Sequence, residues 1–374
     1  MRNGLHDIPV PKPCEPIVSA WRVAAIAYDL AAGRDVDGSV PDREIAALAD
    51  CGLLHAPLPV AMGGQGLGLS SATTLPLRDV LRVLGGASLP LGRLYEGHVN
   101  AVRLVGRYGT PAQMQMLCEE ADARRLSAVW NAESGDGLRL VDGRLQGAKI
   151  YTSGIGLVRR PLLTAATPDG VVMLIPDVGS TRADLSGWTP LGMRASLTGS
   201  GDFTGLAVAD DVIVGEPGDY YRSPLFSGGA WRVLAVQLGA VERLVSLYAD
   251  AMHERGRDSD GVQRARFAKA LTAREAARLW TARAATLAED PRLPAADIDA
   301  FVNLARHGFA RAACDVIAAV QSGVGLSAML RPNPIERIIR DLTTYLRQPG
   351  LDAGIDSAAG WALGAHAMHA DIGS

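Results

Sequence analysis

The stretch Pro334-Ile335-Glu336-Arg337-Ile338-Ile339-Arg340-Asp341-Leu342 places Glu336, Arg340 and Asp341 at positions i, i+4 and i+5. On a helix Glu336 and Arg340 are neighbours on one face and can pair. Their predicted role is therefore structural, ordering the helix that carries them. The residues just beyond, Tyr345-Leu346-Arg347-Gln348-Pro349-Gly350-Leu351, contain no carboxylate. A charged helix followed by an acid-free segment governs the functional reading below.

Outward from this helix, the chain reads as helical back to about Ser227. Val241, Leu244, Val245, Tyr248 and Met252 recur at helical spacing, as do Ile298, Phe301, Val302, Ala305, Phe309, Ala312, Ala313, Val316, Ile317 and Val320. Both stripes are wide enough for bundle helices. The Asp258-Ser259-Asp260-Gly261 stretch reads as a turn between two of them. From about Leu126 to Gly215 the texture differs: short apolar runs such as Ala128-Val129-Trp130, Lys149-Ile150-Tyr151, Leu162 to Ala165, Val171 to Ile175 and Gly201 to Thr204 alternate with turn residues. Asp142-Gly143 and Asp169-Gly170 are hairpin-turn signals, so an antiparallel β domain is predicted. Before that, helices are expected over Ser19 to Ala31, from Pro41-Asp42-Arg43-Glu44 to about Cys51-Gly52, and around Leu75 to Leu84, Leu91 to Gly106 and Pro111 to Glu119. The Gly- and Pro-dense run Pro57 to Ser70 cannot be helix interior. Helices, then strands, then helices predict three consecutive units rather than a βαβ repeat. They are an N-terminal helical domain over 1–125, a middle β domain over 126–220 and a C-terminal helical bundle over 221–374.

Composition narrows the class. With 374 residues, 48% hydrophobic and 21% charged, the chain has the make-up of a soluble globular protein of two or three domains. A formal net charge of −3 and a pI near 6.2 argue against a nucleic-acid partner, which calls for a basic field. Lys12, Lys149 and Lys269 are the only lysines. Cys14, Cys51, Cys118 and Cys314 are far apart and form no Cys-x-x-Cys pair, so no metal site is expected. Met1-Arg2-Asn3-Gly4-Leu5-His6-Asp7 has no apolar leader core, and no run approaches the roughly 20 apolar residues that span a bilayer. The expectation is a cytoplasmic protein with no membrane partner.

Four blocks, in order, resemble the acyl-CoA dehydrogenase superfamily of flavoproteins. They are Met62-Gly63-Gly64-Gln65-Gly66-Leu67-Gly68, then Gly147-Ala148-Lys149-Ile150-Tyr151-Thr152-Ser153-Gly154, then Trp188-Thr189-Pro190-Leu191-Gly192-Met193-Arg194-Ala195-Ser196, and last Gln321-Ser322-Gly323-Val324-Gly325 with Pro334 to Asp341. Each block alone is weak; together they cover nearly the whole chain. The resemblance implies a mainly helical fold with a central β-barrel domain. It also implies FAD between the β domain and the bundle, and assembly as a homodimer or homotetramer. Val129, Trp130, Asn131 and Ser153 would meet the flavin ring, where a hydroxyl near N5 could stabilise negative charge; Ser153 reads equally as a turn serine. Gly323 and Gly325 would approach the FAD pyrophosphate, or cap a helix. Arg255 matches an arginine that reaches a neighbouring subunit's cofactor, but Gly256-Arg257-Asp258 follows it where the family has an aromatic-glycine pair, so a surface arginine in a charged turn competes. Arg194 and Ser196 would face the acyl and pantetheine path, or form a polar turn.

The resemblance also defines what is missing. Dehydrogenation of an acyl thioester needs a carboxylate to take the α-proton. The family presents it either after the Arg-Asp pair or early in the first bundle helix. Here the second place reads Ser227-Gly228-Gly229-Ala230-Trp231-Arg232, again without an acid. Glu133 and His98 remain as weak substitutes: Glu133 reads more readily as a solvated loop acid, and His98 as a solvated or internally satisfied helix histidine. Asp219 reads as a loop or cap residue. Three functions follow. The leading one is an FAD-dependent oxidoreductase acting on an acyl-CoA or carrier-bound thioester, with a possible electron-transfer partner. The second is a flavin-dependent monooxygenase or oxidase on the same fold, which needs no α-proton base and which the Lys149-x-Tyr151-x-Ser153-Gly154 strand favours. The third is a non-catalytic binding homologue.

Overall fold

The computed structural model describes residues 15–364; the Met1 to Asp7 stretch, Lys12 and Cys14 lie outside them. The N-terminal helices are α1 (Pro16–Leu30), α2 (Asp42–Asp50), α3 (Ser71–Ala87), α4 (Leu89–Tyr108) and α5 (Pro111–Asp122). Their starts follow local chemistry. Asp42 and Glu44 occupy the first turn of α2, where acids complement the helix dipole. Thr110 and Gln113 form a capping box on α5, with Pro111 at its first position, satisfying N–H groups the helix itself leaves free.

The strands are β1 (Val129–Trp130), β2 (Arg139–Val141), β3 (Arg144–Gln146), β4 (Ala148–Lys149), β5 (Leu162–Thr167), β6 (Gly170–Leu174), β7 (Ala183–Asp184), β8 (Ser200–Asp202) and β9 (Ile213–Val214). The bundle comprises α6 (Leu225–Gly228), α7 (Trp231–Glu254), α8 (Gly261–Ala288), α9 (Ala295–Val324), α10 (Pro334–Tyr345) and α11 (Leu351–Gly364). The Asp258 to Gly261 turn is as expected: Asp260 caps α8, its Oδ1 accepting from Val262 and Gln263.

The strands depart from a purely antiparallel domain. Six of them form a mixed sheet in which β3-β2-β5-β6-β9 is the path and β1 also pairs with β5; β4-β8-β7 form a second, antiparallel sheet. Both β1 and β2 run parallel to β5, with Val129 opposite Leu162 and Arg139 opposite Ala166. Each takes one end of the longer β5 in succession, so both must share a direction. Asp142-Gly143 makes the β2–β3 hairpin with positive φ at both residues, 49° and 70°, as a type I′ turn requires. The second hairpin turns one residue earlier than Asp169-Gly170: Thr167 pairs with Gly170, so Pro168-Asp169 is the loop.

Helices α3 and α7 cross with backbones almost touching. A Cβ on Gly239 would lie 2.0 Å from Arg82 O, and one on Gly85 would lie 2.0 Å from Val236 O. This contact seats the N-terminal helices on the bundle. Ala295–Met329 is long and apolar enough to cross a membrane by length and composition, with a mean hydropathy of 1.4, contrary to the sequence estimate. In the fold Val302, Phe309, Val316 and Val320 of this helix are fully buried, and it packs on α7, α8 and α11.

The opening stretch, α10, fastens three parts of the chain. Glu336 pairs with Arg340 as expected, and Arg340 also pairs with Asp35, from the connection after α1. Arg340 donates to Leu191 O at 2.9 Å, and Asp341 Oδ1 accepts from Met193 N at 2.6 Å. A Cβ on Gly192 would lie 2.3 Å from the Arg340 carbonyl carbon. The Gly192-Met193-Arg194 block and the Arg340-Asp341 pair therefore hold each other.

Candidate functional site

Strand β1 lies beside β5 in the mixed sheet, with α4 packed against it. Trp130 is buried; its Nε1 donates to Ser153 O at 2.9 Å, and its ring lies 6.3 Å from that of Phe203. This bond draws the Tyr151–Gly154 turn against β1. Ser153 Oγ lies 3.0 Å from Thr198 Oγ1, which lies 2.7 Å from Ser196 Oγ, and Ser196 donates to Met193 O. Ser153 and Ser196, assigned by resemblance to different ligands, thus belong to one hydroxyl chain. Arg194 is engaged elsewhere: its guanidinium pairs with Asp37 at 3.3 Å.

Asn131 follows β1. Its Oδ1 accepts from Thr164 Oγ1 at 3.0 Å and from Tyr221 Oη at 3.1 Å. Tyr221 and Phe226 are half-exposed, with ring centroids 5.2 Å apart, so the connection into the bundle presents aromatic surface beside Asn131. Sequence reasoning missed both rings; the signal was their clustering with Tyr220 just before α7. Glu133 forms an ion pair with the fully buried Lys149, and burial lowers the Lys149 pKa against the opposing pull of Glu133. The carboxylate is therefore committed to that amine. Asp219 is likewise engaged, accepting from Glu216 N at 2.9 Å and pairing with Arg222.

The two places where a base was sought meet in space. Ala230, just before α7, and Leu346 and Gln348 beyond α10 line one pocket, with Val233, Leu234 and Gln237 of α7 and Arg306 of α9. No carboxylate lines it. Gln237 and Gln348 both donate to Tyr345 O, at 2.8 and 2.9 Å. Tertiary structure does bring buried acids near, and sequence reasoning overlooked them. Glu96 on α4 is held between Arg93 and Asn100, and Glu289 pairs with Arg103 and Arg232. Burial first, and then Arg103, bring the Arg232 pKa down to about 10. The Arg93, Glu96 and Asn100 spacing on one helix face was the available signal.

His98 is fully buried and both ring nitrogens are used. Nδ1 accepts from Ser127 N at 3.1 Å, which leaves Nε2–H to donate to Leu54 O at 2.9 Å. The ring staples α4 to two neighbouring segments and offers no nitrogen to a substrate. Burial pushes its pKa down to about 4, below the unperturbed 6.5, so the unfolded chain binds the proton before the native one does. Its contribution is present above about pH 6.5 and is lost as pH falls towards 4, about 3 kcal/mol in all. Asp341 acts in the opposite sense, since burial raises its pKa to about 6. Thermal unfolding across this range is expected to show a steeper acid loss in the wild type than in a His98→Gln variant; parallel profiles would contradict the assignment.

The residues assigned to a pyrophosphate are occupied within the chain. A Cβ on Gly323 would lie 2.0 Å from Tyr248 Oη, so glycine there admits an aromatic side chain. Gly325 ends α9 with φ 74°, the cap alternative. Arg255 is not a free surface arginine: it donates to Val324 O at 2.7 Å and to Ser327 Oγ, answering carbonyl groups at the end of α9.

Comparisons with known proteins bear on the fold and the family. The family model described as acyl-CoA dehydrogenase, C-terminal domain, matches residues 220–347. The chain is 25% identical over 246 residues to a dibenzothiophene monooxygenase of Mycolicibacterium goodii, covering 61% of this chain and 56% of that protein. It therefore spans little more than half the length of that relative. It is 28% identical over 298 residues to the probable FMNH2-dependent monooxygenase SfnC of Pseudomonas putida, covering 76% and 69%. In structure it is similar to the dibenzothiophene monooxygenase TdsC of Paenibacillus sp. A11-2 (TM-score 0.81, 20% identity, 93% and 96% covered). The butyryl-CoA dehydrogenase of Megasphaera elsdenii is similar too (TM-score 0.80, 17% identity, 97% and 100% covered). The chain therefore has the fold of the acyl-CoA dehydrogenases, and its residues 220–347 match that family's C-terminal domain.

Proposed function

We propose that this protein is a flavin-dependent monooxygenase that uses reduced FMN and dioxygen to oxygenate a small, largely apolar molecule. The observation that carries this is that both base positions, represented by Ala230 and by Leu346 and Gln348, line one pocket with no carboxylate. Removal of an α-proton from an acyl thioester requires a base there, so the acyl-CoA reading loses ground to the oxygenase reading. The sequence relatives named as monooxygenases support the same choice.

The residues fit a flat heteroaromatic group. Tyr221 and Phe226 offer ring faces for stacking, while Asn131, Ser153 and Thr198 supply hydrogen-bonding groups along one side. Reduced flavin, when bound, would supply the two electrons for cleaving dioxygen. The mononucleotide is preferred over FAD because Tyr248 fills the space at Gly323 and Arg255 is spent on α9. An electron donor must then deliver reduced flavin, which is the partner we infer. The expected contact between copies would use the outer face of α8 and α9, whose groove is lined by Thr272, Ala276, Ala318 and Ala319.

The test supplies the protein with photoreduced FMN, labelled dioxygen and dibenzothiophene as probe, and in parallel mixes the oxidised flavin complex with butyryl-CoA without air. Incorporation of labelled oxygen, with no bleaching by butyryl-CoA, is expected. Bleaching by the thioester without oxygen incorporation would return the dehydrogenase reading to the front.

A further inference from the structure

Lys149 is fully buried, and all three ammonium protons have acceptors: Thr164 Oγ1 at 2.8 Å, Asn131 O at 3.3 Å and the Glu133 carboxylate. An ammonium group donates and never accepts. Thr164 must therefore accept from Lys149, and its single proton is left for Asn131 Oδ1 at 3.0 Å. Tyr221 Oη reaches the same oxygen from the other side at 3.1 Å. With Oδ1 doubly engaged, Asn131 Nδ2 donates to no protein group among the described residues.

We propose that Lys149 is a positioning residue that sets the direction of this hydrogen-bond chain and so fixes Asn131 with its Oδ1 turned to Thr164 and Tyr221 and its amide donors left for a ligand. The proposal rests on the flavin reading above and deepens it: Asn131 becomes an obligatory donor to an acceptor atom on the edge of the bound ring. Nothing in Asn131 itself selects that orientation, because its two ends have nearly the same shape. Thr164 and Tyr221 do not select it either, since a hydroxyl can donate or accept. Lys149 is the one member of the chain whose role cannot reverse. Without it, Thr164 could accept from Asn131 Nδ2 and the amide could turn round, presenting an acceptor to the ring.

The chain has five asparagines, Asn3, Asn100, Asn131, Asn303 and Asn333, so selective nitrogen labelling gives a small set of side-chain amide signals. Loss of one in Asn131→Asp assigns it. In the wild type without flavin, the Asn131 amide protons are expected to exchange with water about tenfold faster than in Lys149→Met, where they turn inward and become bonded. Lys149→Arg, which keeps an obligate donor, should retain the wild-type rate. FMN affinity, read by fluorescence, is expected to fall about tenfold in Lys149→Met, the loss of one buried hydrogen bond plus an opposed acceptor. The double variant Glu133→Gln with Lys149→Met removes the unpaired carboxylate and stands in if the single variant fails to fold. Equal exchange rates in the wild type and both methionine variants would overturn the proposal. Slowed exchange in a protein whose wild type binds no FMN would uphold the role of Lys149 in orienting Asn131 and sink the flavin reading instead.

Discussion

Arg340→Ala is expected to lower stability by about 3–5 kcal/mol, the usual cost of removing one partner from a buried ion pair. The side chain is 13% exposed, and its partners Asp35 and Glu336 are 8% and 12% exposed. Both carboxylates hold the guanidinium charged, Glu336 most strongly through its hydrogen bonds. Removing the arginine strands two acids with little water to solvate them. It also takes away the donor to Leu191 O, so the loop carrying Met193 and Ser196 loses one of its fastenings. Arg340→Lys should recover only part of the loss, because an ammonium cannot match two carboxylates as a planar fork does. Denaturant unfolding of the three proteins measures this. A loss below about 1 kcal/mol, the range of exposed pairs, would mean that the junction is solvated.

Gly239→Ala is expected to be comparably damaging for a different reason. The added methyl would lie 2.0 Å from Arg82 O and 2.3 Å from Gly86 N. Both are backbone atoms of α3, so no rotamer change relieves the clash. Helices α3 and α7 would have to separate, opening the seam on which the N-terminal helices rest. Overpacking of interiors costs about 1–3 kcal/mol or more, and a backbone-on-backbone contact belongs at or above the top of that range. Gly261→Ala is the control: nothing lies within 4 Å of a Cβ there, and it opens helix α8, where alanine has the higher helix propensity. It should be neutral or slightly stabilising. The two melting temperatures should therefore move apart, and similar values would show that the α3–α7 seam adjusts.

Much of the site was hidden from the sequence for identifiable reasons. Glu133 and His98 were reasonable candidates by type and position, but their partners are Lys149, Ser127 and Leu54. No local pattern announces those contacts. Gly323 matched a motif glycine, yet what requires glycine there is Tyr248, on another helix. The absence of a carboxylate from both base positions was readable in one dimension. That the two positions line the same pocket was not.

The helix–strand–helix order, the acidic first turn of α2, the Asp142-Gly143 hairpin and the pairing of Glu336 with Arg340 were legible in the chain's local patterns. All of these are set by neighbours within a few residues, through periodicity, backbone dihedral preference and capping. Only the tertiary structure decided that β1 and β2 run parallel to β5, that Arg340 meets Asp35 across 305 residues, and that Lys149 governs Asn131. Those outcomes depend on which distant surfaces close-pack and which buried polar groups then find partners. Both conditions belong to the folded chain as a whole.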